Sequence, residues 1–125
     1  MSDDTRKHRH SLPAAFACAA AGVWCLLRTE RNPRIQLIGG AAAIGLGIWL
    51  RIAAIEWAVV ALCIGLVLTA ETINSAIERA VDHTSLEQHP LAKQAKDLAA
   101  GAVLIAAGVS VVVGAIIFLP HLLAL

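Results

Sequence analysis

Residues 71–82 read ETINSAIERAVD and follow an apolar run, WAVVALCIGLVLTA. Glu71, Asn74, Glu78 and Asp82 stand three, four and four residues apart. On a helix that spacing puts them, with Ser75, on one face. Two carboxylates one turn apart, Glu78 and Asp82, can hold a hard cation such as Mg2+ through oxygen. A carboxylate further back on the same face, Glu71, held out of water, is suited to take a proton from a hydroxyl. The plainer use of these residues is interhelical hydrogen bonding.

The elements that must position this stripe are membrane helices. The chain has 125 residues, which bounds it to one domain, and 58% of them are hydrophobic, too many for so small a soluble interior. The basic residues are scattered and lack the interleaved aromatics of a nucleic-acid surface, so no nucleic-acid partner is expected. Cys18, Cys25 and Cys63 form no CxxC and sit in apolar runs, where they read as small buried hydrophobes.

A span needs about 20 mostly apolar residues. Three runs qualify: about 33–50, then 52–82 continuing past the membrane, and 92–120. Arg51 and Glu56 bracket a tight turn between the first two, with Trp49 and Trp57 beside it as an aromatic belt would be. Glycines 39, 40, 45 and 47 in the first span, and 101, 108 and 114 in the third, permit close helix contact. A fourth run, about 11–28, has a basic start and an apolar middle, like a secretory signal. Asp3 and Asp4 before the basic cluster, and the run's passage into RTERNPR, favour an interfacial helix opening after Ser11 with Pro13 in its first turn. The expected fold is therefore all-α: an integral membrane protein with an N-terminal surface helix and three transmembrane helices.

The second span sets the depth of the stripe. Its 31 residues from Ile52 to Asp82 make a helix of about 46 Å, against about 30 Å of hydrocarbon. Counting about 20 residues from Ile55 leaves Glu71 just inside the boundary and Glu78 and Asp82 in the headgroup zone or beyond. Ionisable groups at such a depth are functional by default. Beside the stripe, RTERNPR carries Glu30, and EQHPLAKQAKD carries Lys96 at the mouth of the third span, where it could hold a phosphate or serve as an orientation charge. There is no Walker A loop, so a nucleotide site would have to be built from helix ends and side chains.

At this point the residues resemble the prokaryotic diacylglycerol kinase family. ETINSAIERAVD is similar to its signature of Glu, two residues, Asn-Ser-Ala, an aliphatic, Glu, three residues and Asp. AKDLAAGAVLIAA resembles the start of its third transmembrane helix and RTERNPRIQ the start of its first, in the same order, over about residues 11–118. The resemblance implies a homotrimeric lipid kinase of the bacterial cytoplasmic (inner) membrane, with ATP as co-substrate, Mg2+ as cofactor and a lipid alcohol as acceptor. It implies Glu71 as general base and Glu30 and Glu78 as Mg2+ ligands. Glu87, Gln88, His89, Lys96 and Asp97 would bind nucleotide with them. Asn74 and Asp82 would support the carboxylates, and Asn32, Arg34, Trp49, Glu71 and Ala100 would line the lipid path. Four positions depart from the family pattern: Ser11 stands for an Arg, Cys18 for an aromatic, Gln36 for a carboxylate and Ala100 for a Ser. TERNPRI and HPLAKQAKD look more like the undecaprenol kinase branch, and the acceptor is left between diacylglycerol and undecaprenol.

Two other classes use a membrane carboxylate. A small proton-coupled transporter would want it at mid-bilayer with a polar path, whereas the first and third spans are almost wholly apolar. A non-enzymatic assembly subunit would not need Glu30, Glu78 and Lys96 together. Transfer that depends on added lipid alcohol separates the kinase from both.

The basic residues predict the topology. Arg6, Lys7, Arg9, Arg28, Arg31, Arg34, Arg79, Lys93 and Lys96 fall on one side of a three-span layout and only Arg51 on the other, which makes the first side cytoplasmic. A reporter fused after Leu125 is expected to read out on the non-cytoplasmic side and one inserted at Ser85 on the cytoplasmic side. The opposite pattern would overturn the layout.

Overall fold

The computed structural model describes residues 11–84 and 89–125, all in helices and their short connections. The helices are α1 (Leu12–Thr29), α2 (Arg31–Leu50), α3 (Ala54–Thr84) and α4 (Pro90–Leu123). All four are long and apolar enough to cross a membrane, α1 included. The chain divides into two compact units, a first ending at Arg31 and a second from Asn32 to Leu125.

In the first unit the start of α1 follows from its first residues. Ser11 is the N-cap, its hydroxyl accepting the Ala14 N–H at 3.4 Å, and Pro13 lies in the first turn where a missing N–H costs nothing. So the position that departs from the family's Arg has a structural use here. α1 stops at Glu30, whose extended backbone turns away while its N–H still reaches the Leu26 carbonyl at 2.9 Å.

In the second unit, Pro33 is tolerated in the first turn of α2, so the helix begins two residues before the expected 33. Its end is a Schellman turn. The Ile52 N–H bonds the Gly47 carbonyl at 3.2 Å and the Arg51 N–H bonds the Ile48 carbonyl at 3.3 Å, with Arg51 at φ 54°. The turn consumes Ile52 and Ala53, which moves the start of α3 from the expected 52 to Ala54. Glu56 then accepts the Ala53 N–H at 2.9 Å, half of a capping box. α4 begins at Pro90 because the His89 side chain caps it, Nδ1 accepting the Leu91 N–H at 3.1 Å. It runs through Pro120, where the sequence reading ended it, to Leu123. One hydrogen bond lost in the last turns does not outweigh continued helix in an apolar run.

α3 and α4 pack antiparallel in a single register, read from three contacts. His121 Nε2 lies 3.1 Å from each Glu56 carboxylate oxygen at one end. Ser110 donates to the Ala106 carbonyl at 2.8 Å and touches the Cys63 carbonyl at 3.5 Å in the middle. Lys96 pairs with Asp82 at the far end. At the Glu56 end, Ile52, Val60, Ile117 and Phe118 form the buried cluster, and Leu46, Leu50 and Trp57 pack against it. Outward side chains such as Leu62, Leu104 and Val111 are apolar and exposed, the surface a span offers to lipid.

Of the glycines expected to permit close contact, two do so within the chain. A Cβ on Gly47 would lie 2.8 Å from Trp57 and 3.0 Å from Ile52, and one on Gly40 would meet Ile64 at 3.4 Å. The two lie seven residues apart, two turns on one face of α2. Gly39, Gly45, Gly101, Gly108 and Gly114 have nothing within 4 Å of such a Cβ. Gly47→Ala is expected to cost about 1–3 kcal/mol, because the methyl must displace a packed indole. A thermal-unfolding scan in detergent checks this, with Gly45→Ala, which enters open space, as the comparison.

Candidate active site

The buried face of α3 changes character along its length. Val60 and Val67 are buried, and the next buried residues on that helix are Glu71 and Ser75. The spacings of seven, four and four keep all of them near one line on the helix. The seam that starts as hydrocarbon therefore continues as a carboxylate and a hydroxyl. From Ala54, Glu71 is about 26 Å along the axis and Glu78 about 36 Å, so a 30 Å hydrocarbon slab beginning with the helix would have its far boundary between them.

Glu71 is only 3% exposed, and among the described residues its carboxylate has no hydrogen-bond or ion-pair partner. A buried charge without a partner costs several kcal/mol, so it persists where function requires it. One turn on, Asn74 donates from Nδ2 to Glu78 Oε1 at 3.4 Å, while its Oδ1 is buried with no partner. Asn74 therefore steadies Glu78, which is half-buried and keeps its second oxygen uncommitted among the described residues.

The other charged residues are committed to one another. Asp82, which the sequence reading set beside Glu78 as a cation ligand, has its Oδ1 2.5 Å from Lys96 Nζ on α4. Asp97 pairs with Lys93 one turn away at 2.7 Å. These contacts bring Glu78, Asp82 and Lys96 to one end of the α3–α4 pair, with Lys93 and Asp97 on the same stretch of α4. Among the described residues no three carboxylate, histidine or cysteine side chains gather as a metal cluster.

The remaining expected residues are more dispersed. His89 caps α4, a use legible in hindsight from its place before a helix-opening proline. Asn32 and Arg34 are exposed on the first turn of α2, and Ala100 is exposed beside buried Ala99 on α4. Trp49 is exposed at the other end of α2, next to the turn that starts α3, and so lies about 26 Å along α3 from Glu71. Glu30 closes the first unit. Glu87 and Gln88 lie outside the described residues.

Two features were not anticipated. The Glu56–His121 contact joins residues 65 apart and has no local sequence signal beyond Glu56 at the third position of its helix. A cavity of about 250 Å³ lies among α2, α3 and α4, lined by Gln36, Gly39, Gly40, Cys63, Ser110 and Gly114 among others. Gln36, one of the departures from the family pattern, is among its few polar side chains.

Comparison with known proteins agrees with this geometry. The family model for prokaryotic diacylglycerol kinase matches residues 17–118. The undecaprenol kinase of Bacillus subtilis is 40% identical over 122 residues, covering 95% of this chain and 99% of that protein. The diacylglycerol kinase of Synechocystis is 46% identical over 116 residues, 92% of this chain and 66% of that protein. That of Escherichia coli K12 is 38% identical over 79 residues, 63% of this chain and 65% of that protein. With its acidic stripe lying inside a match that runs almost from end to end, the chain belongs to the prokaryotic diacylglycerol kinase family and is a lipid kinase.

Proposed function

We propose that the chain transfers the γ-phosphate of ATP, with Mg2+, to the hydroxyl of a membrane lipid alcohol, undecaprenol or diacylglycerol, at the cytoplasmic face of the bacterial inner membrane. The observation that carries this reading is Glu71: a buried carboxylate, with no partner among the described residues, on a helix face that passes from apolar to acidic. In the same reading residues 1–125 are a single lipid-kinase domain, α1 lies on the membrane surface, α2, α3 and α4 span, and three copies assemble.

The residues divide the work by depth. Phosphoryl transfer needs positioning and neutralisation of charge more than covalent chemistry. Glu71, level with the lipid hydroxyl, removes its proton as that oxygen attacks phosphorus. Asn74 holds Glu78 at the boundary. Mg2+ usually takes only one or two protein carboxylates and leaves the rest of its shell to water and phosphate. That donor set suits Glu78, whose second oxygen is uncommitted, together with Glu30 as the family resemblance implies. When bound, the ion supplies neutralisation of the β- and γ-phosphate charge. Lys96 offsets what remains, and His89, Asp97, Glu87 and Gln88 surround the nucleotide. Asn32, Arg34 and Ala100, with Trp49 at the far end, border the lipid path.

Radiolabelled ATP offered with undecaprenol or diacylglycerol tests the acceptor, and no lipid-dependent transfer with either would sink the proposal. Glu71→Gln is expected to lower turnover by about 10²–10⁴-fold, the usual range for loss of a general base. MgATP binding should persist, and thermal stability should hold or rise because the variant no longer buries an unpaired charge. Near-normal turnover would remove Glu71 as the base, and lost nucleotide affinity would move it to the metal. Glu78→Gln is expected to cripple transfer and shift the Mg2+ titration to higher concentration. An unchanged titration at wild-type activity would take Glu78 out of the site.

A further inference from the structure

We propose that Asp82 is a positioning residue for Lys96, its resting counter-ion, and acts on the nucleotide only through it. The inference rests on the reading of Lys96 as a phosphate-binding group.

Lys96 lies on the second turn of α4 and Asp82 on the last turns of α3, so their contact is between helices and is independent of either helix alone. A lysine ammonium sits on a flexible four-carbon stem, and without a partner it would sweep a wide arc. Asp82 limits that arc to the edge of α3 one turn from Glu78. The Glu78 carboxylate adds its own attraction for the Lys96 ammonium. Asp97, next to Lys96 in the chain, is taken by Lys93 at 2.7 Å and does not compete for it. The ammonium is thus held beside the carboxylate proposed to carry the cation, where a polyphosphate bridging both would lie.

The strength of the contact suits the role. Both side chains are substantially exposed, Lys96 at 40% and Asp82 at 65%. Exposed ion pairs are weak, because water screens them and two flexible side chains must be held in one geometry. Such a pair orients the lysine between turnovers yet gives way to a phosphate, a stronger charge-assisted acceptor. In this assignment the Asp82 charge is met by Lys96 rather than by the cation that its spacing with Glu78 suggests.

The test uses the full chain in lipid–detergent micelles, with steady-state kinetics in MgATP and direct binding of a fluorescent ATP analogue. Asp82→Asn is expected to raise KM for MgATP about twofold to fivefold, with the change falling on KM rather than kcat. Asp82→Glu should restore most of the loss. In a Lys96→Met background, Asp82→Asn should cause no further loss of analogue affinity, because the group it positions is gone. An unchanged KM in Asp82→Asn, with Lys96→Met impaired, would overturn this inference and leave the function reading standing. An equal loss in both backgrounds, or a shifted Mg2+ titration in the double variant, would also overturn it by making Asp82 structural or a metal ligand. Normal nucleotide affinity in Lys96→Met would overturn the reading of Lys96 and this inference with it.

Discussion

One helix, α3, is longer than the bilayer is thick, and it keeps a single buried face throughout. In its first part that face is valine; further along it becomes Glu71 and Ser75. A carboxylate can stand there only because the helix satisfies all its own backbone groups, so the cost of the position falls on one side chain. Everything that chemistry requires at a water–lipid boundary can then be arranged by rise along one axis. Glu71 comes first along that axis, Asn74 follows one turn on, and Glu78 comes one turn further, the order that the proposed division of work uses. Lipid and water need not be brought together by any moving part of this helix.

The two ends of the α3–α4 pair are built differently. At the Glu56 end the contacts are dense: the Schellman turn at Arg51, the half capping box of Glu56, its hydrogen bonds to His121, and the cluster around Ile52 and Phe118. At the Asp82 end the polar link is one exposed ion pair of flexible side chains, Lys96 with Asp82, while Lys93 and Asp97 pair within α4. Rigid apolar packing sets the register of the helices, and that register delivers Lys96 to Asp82 about seven turns away. The weak end can exchange partners because the strong end holds the frame.

Polar pairing across the described residues divides the acidic groups into two classes. Asp82 and Asp97 are matched with lysines, and Glu56 with a histidine and a backbone N–H. Glu71 has no partner, and Glu78 has only a long bond from Asn74. Buried or half-buried carboxylates left uncommitted, among others that are paired, are where a protein retains cost for function. The division follows position along the α3–α4 pair: Glu71 and Glu78 lie between Glu56 at one end and Asp82 and Asp97 at the other.

Much of this was present in the sequence. Apolar runs longer than 18 residues, the interval of the acidic stripe and the turn at Arg51 depend on local spacing alone, because helical periodicity and backbone hydrogen bonding are local. So the helices, the common face of Glu71, Asn74, Ser75 and Glu78, and the family signature were legible from one chain. Boundaries shifted by two residues where caps intervened, at Ala54 and Pro90, since a cap depends on a side-chain rotamer that spacing does not specify. Tertiary structure alone decided which carboxylates found partners. Asp82 reads as a cation ligand by its distance from Glu78 along α3, and becomes the counter-ion of Lys96 because α4 returns in a register that brings an ammonium to it. Likewise only two glycines of the seven became contact points, because which face of α2 meets α3 follows from Trp57 and Ile64 across the gap. Local spacing determines which groups share a face; what stands opposite that face is a property of the packed chain.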